Sequence, residues 1–262
     1  MTFLQSLLVF GGIGIAAGLL LVIAYGKLKV DEDPKIEKIL EILPGINCGA
    51  CGYASCHEYA AAVCKGDAAI DLCRVGGADT CKKIAQIAEV EHAGEEKILK
   101  AVVRCGVKDR KYSASYNGPE TCVSTALLGG GMTCKYGCFG YNDCVEACPF
   151  DAIYLNENSL PVVNIEKCTG CGLCVQACPR DIIVLREIKD KKIVYVGCSN
   201  KQSGKDTRRV CDVGCIACKI CEKKAPEGSF KVDDDLSEVI FQDKDINVED
   251  IKCPTECIYE AE

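Results

Sequence analysis

Residues 134–149 read CKYGCFGYNDCVEACP, and residues 168–179 read CTGCGLCVQACP. The first run spaces Cys134, Cys138, Cys144 and Cys148 as C-x3-C-x5-C-x3-C-P. The second spaces Cys168, Cys171, Cys174 and Cys178 as C-x2-C-x2-C-x3-C-P. The second spacing lets three thiolates wrap one face of a [4Fe-4S] cubane, while the proline stops the chain from continuing past the fourth as a helix. In paired runs of this kind the fourth cysteine reaches across to the other cubane. The spacing therefore predicts one cluster on Cys134, Cys138, Cys144 and Cys178, and another on Cys168, Cys171, Cys174 and Cys148. Zinc also takes C-x2-C pairs, but eight cysteines in two runs that both end in Cys-Pro fit two cubanes better than two zinc sites.

Paired runs of this kind are the pattern of bacterial two-cluster ferredoxins, and the composition agrees with it. The chain has 262 residues, room for about two small domains, with 23 cysteines, two histidines and no tryptophan. The cysteines fall at ligand spacings, so the thiols are expected to be reduced and metal-bound, in a reducing compartment. A net charge of −7 argues against broad nucleic-acid binding. Clusters stand in for much of an apolar core, so without metal the chain is expected to be largely unfolded beyond its first helix.

Between Thr2 and Gly26 no residue is charged. About 24 residues at ~1.5 Å each reach ~36 Å, enough to cross a hydrocarbon core of ~30 Å. A cleaved signal peptide would carry basic residues before the apolar run and a small-x-small site after it; here Lys27 and Lys29 follow the run. By the positive-inside rule these lysines stay in the cytoplasm. The N-terminus then faces out and the cysteine-rich remainder lies inside, in agreement with the redox argument. Gly14-Ile15-Ala16-Ala17-Gly18 is a small-xxx-small pattern that lets another membrane helix approach closely, although glycine is also simply common in such helices. One uncharged helix cannot form an ion path, so any transport belongs to partners.

After the acidic hinge Asp31-Glu32-Asp33, Pro34 suits the first position of a helix, and Ile36, Ile39, Leu40 and Leu43 recur at helical spacing. Residues 43–56 then read LPGINCGACGYASC. Cys48, Cys51 and Cys56 supply three thiolates, and Cys73 and Cys64 compete as the fourth ligand of a [4Fe-4S] cluster. Gly49 and Gly52 let the backbone sit close to a cluster face. Cys81, beside a second helical stretch, reads as a small buried hydrophobe.

An uncleaved helix, this LPGxNCGACGYxSC segment and a two-cluster ferredoxin unit, in that order, resemble the RnfB family, the B subunits of Rnf ion-translocating electron-transport complexes. The resemblance covers essentially the whole chain and favours Cys73 over Cys64. It implies an electron-transfer subunit of a ferredoxin:NAD oxidoreductase whose partners are the other Rnf subunits in the membrane and soluble ferredoxin. Flavins, the nicotinamide site and the movement of sodium ions or protons would lie in other subunits. Soluble ferredoxins are usually acidic, so docking calls for a basic patch. The candidates are Lys219, Lys223 and Lys224, with Lys201, Lys205, Arg208 and Arg209 as further possibilities.

The last third reads as a damaged repeat of the ferredoxin unit. Cys215-x2-Cys218-x2-Cys221 is a clean triplet, but Ala225-Pro226 stands where its Cys-Pro would be, and Lys252-Cys253-Pro254 keeps only the end of a second run. The two losses match under cross-ligation, so Cys215, Cys218, Cys221 and Cys253 are expected to hold a fourth cluster. Cys198 or Cys211 could replace a tail ligand or help build a fifth cluster; Cys105, Cys122 and Cys257 lie outside any compact run. Strand patterns predict hairpins pairing Ile153–Leu155 with Pro161–Val163, Ile182–Ile188 with Lys192–Val196, and Phe230–Val232 with Val239–Phe241.

The fold class expected is α+β: a single N-terminal transmembrane helix, a small helical [4Fe-4S] domain, a ferredoxin-like two-cluster domain and a degenerate second ferredoxin-like unit. The boundaries are an anchor at 1–26, a linker with amphipathic helix at 27–46, the [4Fe-4S] domain at 47–94, a connecting segment at 95–130, the two-cluster domain at 131–190 and the one-cluster unit at 191–262. The sequence has no nucleophile–base pair, no GxGxxG and no recognisable flavin site, so the chain reads as an electron wire without substrate chemistry of its own. The alternatives are an iron–sulfur relay to a corrinoid protein or other reductase, which would need no anchor, and a redox sensor, which would need an output domain.

Overall fold

The computed structural model describes residues 3–28, 33–90, 98–188, 192–240 and 246–261. Helix α1 (Phe3–Leu28) has 26 residues, about 39 Å at 1.5 Å per residue. Within it Leu7–Lys27 is long and apolar enough to cross a membrane, and none of that stretch is buried against the rest of the chain. Leu8, Phe10, Ile15 and Leu20 lie exposed around the helix, a surface suited to lipid rather than water.

Helices α2 (Pro34–Ile42), α3 (Cys56–Lys65) and α4 (Gly77–Ala88) form the first soluble unit. Asp33 caps α2 by accepting the Lys35 N–H at 2.8 Å, with Pro34 at the first helical position. Ser55 caps α3, accepting from the Glu58 N–H at 3.1 Å, and the Glu58 carboxylate reaches back to the Ala54 N–H. Ile36, Ile39, Leu43, Tyr59, Val63 and Ile84 interdigitate as the core of this unit.

The second unit contains β1 (Leu99–Val103), α5 (Cys122–Leu127), α6 (Asp143–Glu146), β2 (Ile153–Leu155), β3 (Pro161–Val163), α7 (Leu173–Ala177) and β4 (Ile183–Glu187). The third contains β5 (Ile193–Val196), α8 (Gly204–Val210), α9 (Ile220–Lys224), β6 (Phe230–Asp233), β7 (Leu236–Val239), α10 (Val248–Ile251) and β8 (Ile258–Ala261). The hairpin β2–β3 forms as expected, antiparallel with Ile153 opposite Val163. The expected hairpin of Ile182–Ile188 with Lys192–Val196 does not: β4 pairs with β1 (Val103 opposite Ile183), and β5 pairs with β8 (Val196 opposite Ile258). The residues between them, 189–191, lie outside the described residues.

Burial accounts for this choice. Pairing β4 with β1 brings Ala101 and Val103 onto Ile182 and Ile183 in one core, with the cluster-loop thiols Cys138, Cys144, Cys168 and Cys174. A free β4–β5 ribbon would leave those faces in water. The third unit repeats the plan, with an outer pair β5–β8 and an inner hairpin β6–β7. That hairpin is tighter than expected. Asp234 and Asp235 both take left-handed φ (48° and 56°), so a two-residue turn suffices and β7 begins at Leu236. Phe241, expected in this strand, falls outside the described residues.

The second and third units pack together. Arg104 Nη2 lies 2.9 Å from Glu238 Oε1, Ser199 Oγ donates to the Arg104 carbonyl at 3.1 Å, and Lys111 pairs with Asp212 at 3.1 Å.

Candidate metal centres

Cys48, Cys51, Cys56 and Cys73 line one cavity of about 370 Å³ together with Ile46, Tyr53 and Tyr59. The loop curls because Asn47, Gly49 and Gly52 all have positive φ, and Asn47 Oδ1 accepts the Cys56 N–H at 2.8 Å. Cys64 packs in the helical core and is not part of that lining, so the structure brings together the set with Cys73. Tyr59 closes the floor, 1 % exposed, its hydroxyl donating to the Ala69 carbonyl at 2.9 Å. Cys81 is buried on α4.

In the second unit Cys148, Cys168, Cys171 and Cys174 surround a cavity of about 300 Å³, the grouping read from the spacing. The Ala101 N–H points at Cys168 Sγ at 3.5 Å, and Lys100 Nζ donates to the Cys168 carbonyl. Gly170 is required: at φ +68°, a Cβ there would lie 2.1 Å from the Leu99 carbonyl oxygen.

The companion cavity, about 370 Å³, departs from the expected grouping. Cys138, Cys144 and Cys178 line it, but the fourth thiol is Cys122 and not Cys134. The first run has five residues between Cys138 and Cys144 where the second run has two between successive ligands, so its path cannot follow the compact three-thiolate wrap. Helix α5 brings Cys122 in from outside the run. The Asp143 carboxylate, next to Cys144, accepts the N–H of Cys122 at 2.8 Å and of Val123 at 3.2 Å, which ties the start of α5 to the cysteine loop. Arg110 braces the same loop, donating to the carbonyls of Cys138, Asn158 and Ser159 at 2.6–2.8 Å.

In the third unit Cys215, Cys218, Cys221 and Cys253 line a cavity of about 330 Å³. Its loop repeats the second run in backbone form. Ala217 (φ 53°) and Lys219 (φ 59°) stand where the second run has Gly170 (φ 68°) and Gly172 (φ 86°). Ser237 Oγ lies 3.0 Å from Cys221 Sγ. Cys257 also lines this cavity, its Sγ 3.6 Å from Cys253 Sγ. Hydrogen bonds from Cys257 hold the thiols of Cys253 (to about 5) and Cys215 (to about 6) below the ordinary range, while Cys257, as the shared donor, is pushed up.

Cys134 is found instead with Cys105, Cys198 and Cys211, around a further cavity of about 350 Å³ between the second and third units. The two cysteines left open by the sequence thus line this cavity together and not the tail cavity. Cys105 and Cys122 carry too little local signal to be placed, because each sits alone in sequence. The one available hint is the irregular C-x3-C-x5-C spacing.

The donor sets fit cubanes. A lone zinc ion would draw its sulfurs to about 3.8 Å from each other, given Zn–S bonds of ~2.3 Å. Among the described residues no three His, Cys, Asp or Glu side chains come together closely enough to hold one ion. Four or more thiols line each cavity, the number a [4Fe-4S] cubane takes. Burial pushes Cys138, Cys144 and Cys174 up to about 12, so each is a neutral thiol at pH 7 until iron displaces its proton.

At the surface, Cys218 is the exposed cysteine of the chain. Lys219, Lys223 and Lys224 surround it and are exposed. The further basic candidates are partly engaged: Lys201 pairs with Asp234 at 3.0 Å and Arg209 with Asp206 at 3.3 Å.

Two family descriptions match the chain: an Fe-S cluster family over residues 43–75 and the 4Fe-4S dicluster domain over residues 133–182. The chain is also similar to whole proteins. It is 41 % identical to the B subunit of the ion-translocating oxidoreductase complex of Methanosarcina acetivorans, over 90 % of this chain and 89 % of that protein. It is 37 % identical to the B subunit of the Na(+)-translocating ferredoxin:NAD(+) oxidoreductase complex of Acetobacterium woodii, over 95 % and 75 %. The B subunit of the proton-translocating ferredoxin:NAD(+) oxidoreductase complex of Clostridium ljungdahlii is 34 % identical over 98 % and 90 %.

Proposed function

The chain belongs to the family of B subunits of ion-translocating oxidoreductase complexes, and from that premise we propose that it relays single electrons between a soluble ferredoxin and the membrane subunits of such a complex. When bound, the [4Fe-4S] clusters supply reversible one-electron chemistry. The observation that carries the reading is the set of separate, similarly sized cavities each lined by at least four thiols. The ligand sets are Cys48, Cys51, Cys56 and Cys73; Cys122, Cys138, Cys144 and Cys178; Cys148, Cys168, Cys171 and Cys174; and Cys215, Cys218, Cys221 and Cys253. The exchange of Cys148 and Cys178 between the two middle loops keeps neighbouring sites close, as electron transfer requires.

The remaining residues hold and insulate. Tyr59, Phe139, Ile183 and Phe230 are buried beside the sites and keep water from them. Helix α1 fixes the chain to the cytoplasmic membrane, with Lys27 holding the soluble units on the cytoplasmic side. Lys219, Lys223 and Lys224 beside exposed Cys218 offer an acidic ferredoxin a landing surface where the tail site lies nearest to solvent. The chain has no flavin or nicotinamide role in this reading.

Anaerobically purified protein is expected to bleach in its visible iron–sulfur absorption when mixed with a reduced low-potential ferredoxin. Reversing Lys223→Glu and Lys224→Glu together should slow this several-fold at low salt and little at high salt. Iron-loaded protein that dithionite reduces but ferredoxin does not would refute the partner. An unchanged rate in the double variant would refute the landing surface.

A further inference from the structure

We propose that Cys105, Cys134, Cys198 and Cys211 form a fifth [4Fe-4S] site, which bridges the second and third units. This deepens the electron-relay reading and rests on it. The four thiols come from four separate places in the sequence, so no compact motif announces them. Cys105 follows β1, Cys134 opens the first cysteine run, Cys198 follows β5, and Cys211 ends α8. Together they line a cavity of about 350 Å³, within the range of the other four sites.

The polar surroundings point to ligated sulfur and not to packed thiols. The Cys138 N–H is directed at Cys105 Sγ at 3.4 Å, and the Asn200 N–H at Cys198 Sγ at 3.4 Å. The Asn200 side-chain amide approaches Cys134 Sγ at 3.9 Å. Asn200 is 1 % exposed; its Oδ1 accepts the Gln202 N–H at 2.8 Å and its Nδ2 also donates to Gln202 Oε1 at 3.4 Å, which holds the amide in place. N–H groups directed at Cys105, Cys198 and Cys134 suit ligated sulfur, since a ligated thiolate is a better acceptor than a neutral thiol. Four buried or half-buried cysteines with no disulfide between them also fit a set awaiting iron.

The place of the site in the fold gives it a role. Cys138, which donates to Cys105, lines the neighbouring cavity of the second unit. On the other side, Cys198 packs in one buried core with Cys215, a thiol of the tail cavity. The site thus touches a prospective ligand of each neighbour and lies between them. With clusters bound at these sites, Cys105, Cys134, Cys198 and Cys211 would hold a one-electron centre between the tail site and the Cys138 site, each cluster being oxidised as its neighbour is reduced. No bond of the chain forms or breaks in the transfer.

The test is iron and acid-labile sulfide per chain on anaerobically isolated, full-length protein, with EPR after dithionite reduction, for wild type, Cys198→Ser and Cys105→Ser. Cys64→Ser serves as a control for loss of a half-buried thiol. Wild type should hold about 20 irons, five cubanes of four. Each of the two site variants should fall to about 16 with one reduced-state signal lost, and the control should stay at about 20. A wild type at about 16 that Cys198→Ser leaves unchanged would overturn the fifth site while leaving the relay reading intact. So would about 20 irons in every variant. Wild-type protein that retains no iron overturns the relay reading itself. Since the wild-type count stands alone, a variant that fails to fold does not remove the test.

Discussion

Replacing Asp143 by alanine tests whether Cys122, rather than Cys134, completes the site of Cys138, Cys144 and Cys178. Asp143 accepts two N–H groups at the start of α5, at 2.8 Å in a partly buried position and at 3.2 Å in an exposed one. Hydrogen bonds to a charged acceptor contribute about 1.5–3 kcal/mol when shielded and less in water, so the pair is worth about 3 kcal/mol. Helix α5 has six residues and cannot hold itself together without such anchoring. Loss of about 3 kcal/mol corresponds to roughly a 100-fold weaker hold of Cys122 on its cluster. Under a fixed concentration of iron chelator, Asp143→Ala should release about four irons in an early phase that is slow in the wild type. Asp143→Asn, which keeps one acceptor oxygen, should fall between them. If Asp143→Ala releases iron with wild-type kinetics, α5 does not deliver a ligand and the grouping drawn from the cavity is wrong.

Three further outcomes follow from the site geometry. Ala217 occupies a left-handed position (φ 53°) where the equivalent loop has glycine, so Ala217→Gly should relieve about 1 kcal/mol and slow chelator loss of the tail cluster about fivefold. Cys257→Ala should leave iron content unchanged and lower the tail cluster's midpoint potential in an EPR-monitored redox titration, because a hydrogen-bond donor to Cys253 and Cys215 is lost. A fall of about four irons would instead make Cys257 a ligand. Burial raises Cys144 and Cys174 to about 12, so protons compete with iron for these sulfurs throughout the neutral range. Acidification favours the thiol, so cluster retention against chelator should decline from pH 8 to pH 6, by up to about tenfold per unit for each proton taken up; retention that improves in acid would contradict the assignment.

Local spacing makes much of this architecture legible. Thiols carried on one tight loop, such as Cys168, Cys171 and Cys174 or Cys48, Cys51 and Cys56, do line common cavities. The placement of Cys148 across from its own run follows the same rule, and Cys253 lines the cavity of Cys215, in keeping with the matched losses in the tail. What local reading cannot reach are partners supplied from a distance. Cys122 and Cys105 sit alone in sequence, and their neighbours are fixed by Asp143 and by β1, whose pairing with β4 spans more than eighty residues. The strand Leu99–Val103 lies in what reads locally as a connecting segment, because five residues next to a turn have little pattern of their own. Its partner is chosen by the burial of Ile182 and Ile183, a property of the assembled core and not of any window of residues.

The way ligands are shared along the chain also sets a timetable for its birth. Under the proposed grouping the N-terminal set closes with Cys73, whereas the two middle sets wait for Cys174 and Cys178, and the tail set waits for Cys253. The first and last of these are 180 residues apart, roughly 10–40 s of ribosomal elongation. Cys122 emerges 56 residues before Cys178, and Cys138 and Cys144 likewise emerge before the residue that completes them. A nascent chain of this design carries a growing inventory of open thiols, so its safe maturation depends on iron–sulfur delivery and reducing conditions at the membrane where translation proceeds.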